Sequence, residues 1–257
     1  MARWFGAAAL AAGVVLAAAS PAAALEELHI SHTSMNTAYT ATIHFGGGGH
    51  ETAYSNGIVF TGTNLTTNES FDDLFGFCID VFHNITLGNQ NLNYWSTYND
   101  PNYVDIPVDD FGAPTPLTTD QKKRVTSLVD YGFELHRDFA GNADAELQLA
   151  AVQAAIWNTI LQSTGGYVTV NNGSHSAGGQ TYSQYFNAFA FTNTYDGDRI
   201  YEIFDTQNRP AHQAFAIGWP IEGGVPEPGT WALMLAGFFG MGAALRRSRR
   251  DGATAAV

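Results

Sequence analysis

One cysteine, Cys78, serves a chain of 257 residues, so no internal disulfide can staple it. Three roles are left to that thiol: a buried apolar residue, an intermolecular partner or a reactive group. Basic residues are also scarce. Between the two chain ends they are Lys122, Lys123, Arg124, Arg137, Arg199 and Arg209, and only Glu227 and Asp251 of the 24 acidic residues lie outside that stretch. The central module therefore stands at −16 with histidines neutral, a charge that repels nucleic acid and anionic lipid. No internal repeat is visible. Asp72-Asp73, Asp109-Asp110 and Asp196-Gly197-Asp198 lack the ligand pattern of an EF-hand, so no metal or other cofactor is expected. No histidine spacing supplies Cys78 with a hydrolase triad; His83 is the nearest in sequence.

The two ends read as targeting segments. Met1 to Ala24 carries Arg3, an apolar run from Trp4 to Ala19 and a small-residue close, Ala22-Ala23-Ala24. That order predicts a secretory signal peptide over 1–24. At the other end Thr230 to Leu245 is uncharged and mostly apolar, followed by Arg246, Arg247, Arg249 and Arg250. At about 1.5 Å per residue this stretch falls just short of a hydrocarbon core of roughly 30 Å, and its arginines would stay on the cytoplasmic side. Pro226-Glu227-Pro228, an apolar helix and an arginine cluster in this order resemble the PEP-CTERM sorting signal of Gram-negative bacteria. The resemblance covers 225–250 and leaves 251–257 as a short cytoplasmic end. It implies transient membrane contact, cleavage near Pro226-Glu227-Pro228 by an exosortase-type enzyme, and a product at the cell surface or beyond it.

The module from 25 to 224 is long enough for one domain. Tyr39 to Phe45 alternates with period two and predicts a half-buried strand, with Tyr54 to Phe60 as its hairpin partner across Gly46–Gly49. Phe71 to Ile85 reads as a strand covered on both sides. Tyr94 to Pro116 reads as a long surface excursion. Thr118-Thr119-Asp120 opens a first helix with Val125, Leu128, Val129 and Leu135 on its apolar side. Asn142 to Asp144 opens a second, with Leu149, Val152, Ile156 and Ile160 at helical spacing, and Gly165-Gly166 ends it. Asn171 to Gln180 reads as a loop, and strands resume at 167–170, 199–204 and 214–219. The expected architecture is α+β, a β-sandwich-like body with a small subdomain of about two helices.

Gln153 stands out on the second helix. Its neighbours one turn away are Leu149, Ile156 and Trp157, and a primary amide there must find hydrogen bonds or be an expensive misfit. Gln148 points elsewhere on the helix. Cys78 has Phe77, Ile79 and Phe82 about it, which favours burial.

Taken together, Phe77-Cys78-Ile79-Asp80 and Val152-Gln153-Ala154-Ala155-Ile156-Trp157 resemble the thioester domains of bacterial surface adhesins. The likeness spans roughly 71–219. It implies that Cys78 and Gln153 condense, expelling ammonia, and that the resulting thioester acylates an amine or hydroxyl on a target. Such a protein acts once and is no enzyme. Asp80 would assist proton transfer, and in an extended strand it would share the face of Cys78 while His83 points away. The short chain lacks the repeat stalks of that family, which favours a matrix, polysaccharide or neighbouring cell as target. The competing reading is a non-covalent matrix or carbohydrate binder with Cys78 in its core. Its support is two aromatic-rich loops, one with Tyr94, Trp95, Tyr98 and Tyr103, the other with Tyr182, Tyr185 and Phe186.

Overall fold

Short alternating stretches, most with few charges, carry the N-terminal half into strands. The computed structural model describes residues 26–81, 85–96, 117–171, 175–191, 200–205 and 213–218. These belong to one unit that ends at Gly218; the signal segment, the tail from Trp219 and 97–116 lie outside the described residues. The expected cleavage sites lie there too. Tyr94 to Ser96, expected to open a surface excursion, are the end of a strand.

The strands are β1 (Glu26–Ser34), β2 (Tyr39–His44), β3 (His50–Ser55), β4 (Ile58–Asn64), β5 (Glu69–Cys78) and β6 (Gly88–Ser96). Helices α1 (Thr119–Phe139) and α2 (Ala143–Leu161) follow, then β7 (Tyr167–Val170), the short pair β8 (Ser176–Ala177) and β9 (Gln180–Thr181), α3 (Tyr182–Phe191), β10 (Ile200–Asp205) and β11 (Phe215–Gly218). The class is α+β, with a β-rich body and a small helical part. Its main sheet closes as an antiparallel barrel in the order β1-β4-β5-β11-β10-β6, and a second sheet runs β3-β2-β7.

Side-chain alternation sets the barrel's core. Leu28 and Ile30 of β1 face inward; a bulge between Ile30 and His32 then shifts the phase so that Thr33 is buried and His32 is not. Phe60 and Phe215 meet edge to face at 4.7 Å, with Tyr94 against Phe215, so aromatic rings fill the interior. The stretch expected as one strand from Tyr54 to Phe60 is two. It breaks at Asn56-Gly57, where a Cβ on Gly57 would sit 2.0 Å from the Phe75 ring, and β4 leaves the β2–β3 hairpin to join the barrel. The strand expected over Phe71 to Ile85 ends at Cys78; within β5 only Phe75 to Cys78 are buried, and burial continues beyond the strand through Val81. α1 packs on β5 and brings its Gly132 onto the Phe77 ring, where a Cβ would stand 2.3 Å away.

Helix signals in the sequence act where they stand. Thr118 and Gln121 form a capping box at the start of α1, and Val125, Leu128, Val129 and Leu135 are buried. Asn142 caps α2 through the N–H groups of Asp144 and Ala145; after a 3₁₀ turn over Gln162–Thr164, Gly165 takes the left-handed conformation at φ 74°. Except for Gln148, α2 is buried from Ala145 to Leu161. It lies between α1 and α3 and also touches β7, so its alanines allow approach on every side. A third helix, α3, stands where an aromatic loop was expected. Tyr182, Tyr185, Phe186 and Ala190, at helical spacing, put its buried face on α2.

Candidate functional site

β5 delivers Cys78 at its last residue, and the middle of α2 delivers Gln153. The Cys78 N–H donates to Gln153 Oε1 at 2.8 Å, and Gln153 Nε2 donates back to the Cys78 carbonyl at 2.9 Å. A side-chain amide thus pairs both backbone groups of the cysteine, as a neighbouring strand would. Gln153 is fully buried, so these bonds answer the polar cost of placing an amide in an apolar helix. Gln148, by contrast, faces the other way, bonded to Asp144 and accepting from Tyr131.

The thiol donates to the Asp80 carbonyl at 2.9 Å, and Gln213 Nε2 donates to the same oxygen at 3.0 Å. Burial pushes the Cys78 thiol well above its ordinary value; the Trp157 indole N–H partly offsets this, and the Asp80 charge adds to it. That indole nitrogen is buried and makes no hydrogen bond of ordinary geometry, so its influence on the sulfur is one of proximity. Asp80 is itself buried beyond the end of β5, so strand alternation does not place it; the irregular segment after Cys78 does. Phe82, His83 and Asn84 lie outside the described residues.

A pocket of about 260 Å³ opens over the pair. Its lining includes Cys78, Gln153, Trp157 and Gln213, together with Glu51, Thr52, Ala53 and Tyr54 of β3, Asn56 and Met35. Buried Glu146 in the first turn of α2 supports this wall. It accepts from Asn36 Nδ2 and Asn56 Nδ2, both at 3.0 Å, and from the Gly141 N–H at 3.2 Å. Gln213, Asn56 and Glu146 were not legible as site residues, because each reaches the site only through tertiary contacts.

Other expectations fare differently. Tyr94 is a barrel core residue whose hydroxyl donates to the Gln213 carbonyl, and Tyr182, Tyr185 and Phe186 are buried against α2. These four present no exposed faces for stacking on sugar rings; Trp95 is half-buried in β6, and Tyr98 and Tyr103 lie outside the described residues. Asp72 and Asp73 sit on the exposed half of β5, and Asp73 Oδ1 lies 3.1 Å from His136 Nε2. Among the described residues no group of three or more histidine, cysteine, aspartate or glutamate side chains is set to hold a metal. Among them, too, no helix is long and apolar enough to cross a membrane.

No protein-family model matches this chain, and no curated protein matches it. Among solved structures it is similar to the N-terminal thioester domain of a surface protein from Clostridium perfringens. The identity is 12%, over 71% of this chain and 99% of that domain, with a TM-score of 0.38. At that score the likeness is too distant to bear on function.

Proposed function

We propose that this protein is an exported surface or matrix module that bonds covalently to its target through a Cys78–Gln153 thioester. The observation that carries the reading is the two-point pairing of the Gln153 amide with the Cys78 backbone inside a buried site. Sulfur would attack Cδ of Gln153 as its proton leaves, and Asp80, whose backbone carbonyl already accepts the thiol's hydrogen bond, is the helper assigned to that transfer. The negative charge that develops on Oε1 meets the Cys78 N–H already donating to it. The C–N bond then breaks, and the amide nitrogen departs as ammonia with the proton. A thioester and ammonia replace a thiol and a primary amide, so the atoms balance.

Apolar neighbours and the Trp157 ring limit water at the bond. An amine or hydroxyl of the target takes the acyl group and returns the thiol, leaving an amide or ester at Gln153. The acyl group is not regenerated, so the chemistry is single-use tethering and not enzymatic turnover. The targeting segments complete the proposal. A signal peptide over 1–24 directs export, the 225–250 tail holds the chain briefly in the inner membrane, and an exosortase-type enzyme releases it near Pro226-Glu227-Pro228. Matrix, polysaccharide or a neighbouring cell would receive it, with no nucleic acid partner and no cofactor.

Intact mass tests the central step. The purified protein should weigh one ammonia less than its sequence, with Cys78 closed to alkylation, and the Cys78→Ala variant should show no deficit. Methylamine should restore an alkylatable thiol and leave an adduct on Gln153. A full mass, a freely alkylated Cys78 and glutamine still present at 153 on peptide mapping would refute the thioester.

A further inference from the structure

Part of the wall of the pocket over the Cys78–Gln153 pair belongs to a strand at the edge of a sheet. β3 pairs with β2 along one side, and among the described residues no strand pairs with its other side. Glu51, Thr52, Ala53 and Tyr54 all line the pocket. Consecutive strand side chains point to opposite faces, so one face would supply only alternate members of that run. Four in succession line the pocket because the backbone edge of β3 is turned toward it.

The hydrogen-bond phase of the hairpin says which groups that edge offers. Phe45 N–H donates to the Gly49 carbonyl at 2.8 Å, which makes 45 and 49 a bonded pair. Bonded pairs alternate along an antiparallel ladder, so Ile43–Glu51 and Ala41–Ala53 spend their backbone groups on β2. Thr52 and Tyr54 therefore aim their N–H and C=O groups outward. Both residues are exposed, and the strand carries no proline, lysine or arginine to discourage pairing.

We infer that β3 is a docking edge: an extended segment of a partner polypeptide adds to it as a further strand, and a lysine on that segment reaches into the pocket. A strand edge asks for alternating N–H and C=O groups, which a polypeptide supplies and a polysaccharide does not. The cation follows from charge, since the chain is −13 overall and Glu51 lies on the pocket wall. Met35, Ile58 and Leu87 line the same pocket and suit the aliphatic stem of lysine. At about 260 Å³ the pocket is smaller than the roughly 300–1,000 Å³ usual for a whole small ligand, and fits one side chain entering from a docked backbone. The lysine as acyl acceptor rests on the proposed thioester; the docking of a strand does not.

The test uses the full chain and a panel of short threonine- and valine-rich peptides, each with one central lysine. Covalent adducts on the parent are followed by mass, and non-covalent binding to the Cys78→Ala chain by fluorescence anisotropy. Methylating peptide amides one at a time should weaken binding at every second position, by about tenfold or more, and leave the intervening positions unaffected. Thr52→Pro removes an outward N–H without touching a β2 bond and should lose peptide binding and coupling. The amide-methylation series keeps the test valid if Thr52→Pro fails to fold. Peptides that bind the Cys78→Ala chain with that period support the edge even if the parent shows no ammonia deficit, so failure of the thioester and failure of the docking are distinguishable. The inference is overturned if peptides bind the Cys78→Ala chain without a two-residue period or not at all. A Thr52-dependent dimer of this chain in place of peptide binding, or an amino-sugar polymer coupling faster than every peptide, would overturn it as well.

Discussion

Opening the thioester with methylamine should cost the fold a definite amount of stability. Cys78 and Gln153 are 75 positions apart, so their bond would close a loop of that size. Loop-closure entropy for a cross-link of this span stabilises the folded state by about 4.5 kcal/mol, because the unfolded chain loses freedom that the folded chain had already given up. Opening returns an amide that can again donate to the Cys78 carbonyl and offsets about 1 kcal/mol. The net loss is about 3.5 kcal/mol, which for a module of this size lowers the melting temperature by about 7–14 °C. Differential scanning calorimetry on intact and methylamine-opened protein, each verified by mass, measures it. Melting temperatures within about 2 °C of each other would refute the reasoning, since either the bond closes no such loop or the unfolded chain is not constrained by it.

Three further outcomes follow from the geometry. In the Cys78→Ala background, where no cross-link forms, Gln153→Leu leaves the N–H and C=O of position 78 without their side-chain partner and should lose about 2–6 kcal/mol in urea titration. Gly132→Ala drives a Cβ into the Phe77 ring and should destabilise by about 1–3 kcal/mol, with slower thioester closure because Phe77 adjoins Cys78. In Gln153→Ala the thiol stays free and buried, its folded pKa raised by desolvation. Its contribution to stability is then present below about pH 8.5 and is lost as the pH rises above that value, where the unfolded thiol ionises first. Urea midpoints of this variant should therefore fall with alkali relative to the Cys78→Ala, Gln153→Ala double variant; a gap constant with pH would contradict the burial argument.

Local physics made part of this protein readable from its residues alone. The cap residues Thr118 and Asn142, the glycine stop at Gly165 and the apolar spacing of Val125, Leu128, Leu149 and Ile156 act within a few residues, so α1 and α2 stand where they were expected. β2 and β7 were legible for the same reason. α3 carried a signal that was missed, since Tyr182, Tyr185, Phe186 and Ala190 recur at helical spacing under a loop-like composition. β6 offered little, because most of its residues are polar and its pairing with β1 and β10 is what makes it a strand.

The sequence by itself determined the two central helices, the acidic charge, the lone thiol and, through paired motifs, the suspicion that Cys78 and Gln153 belong together. Only the tertiary structure decided that the first six strands divide between a barrel and a separate sheet, that Gln213 and the Cys78 thiol share the Asp80 carbonyl, and that β3 residues line the same pocket as the pair. Caps and periodicity are set by neighbours within a turn or two. A contact of 2.8 Å across 75 residues exists only once barrel closure and the packing of α1 and α2 have brought β5 and α2 together.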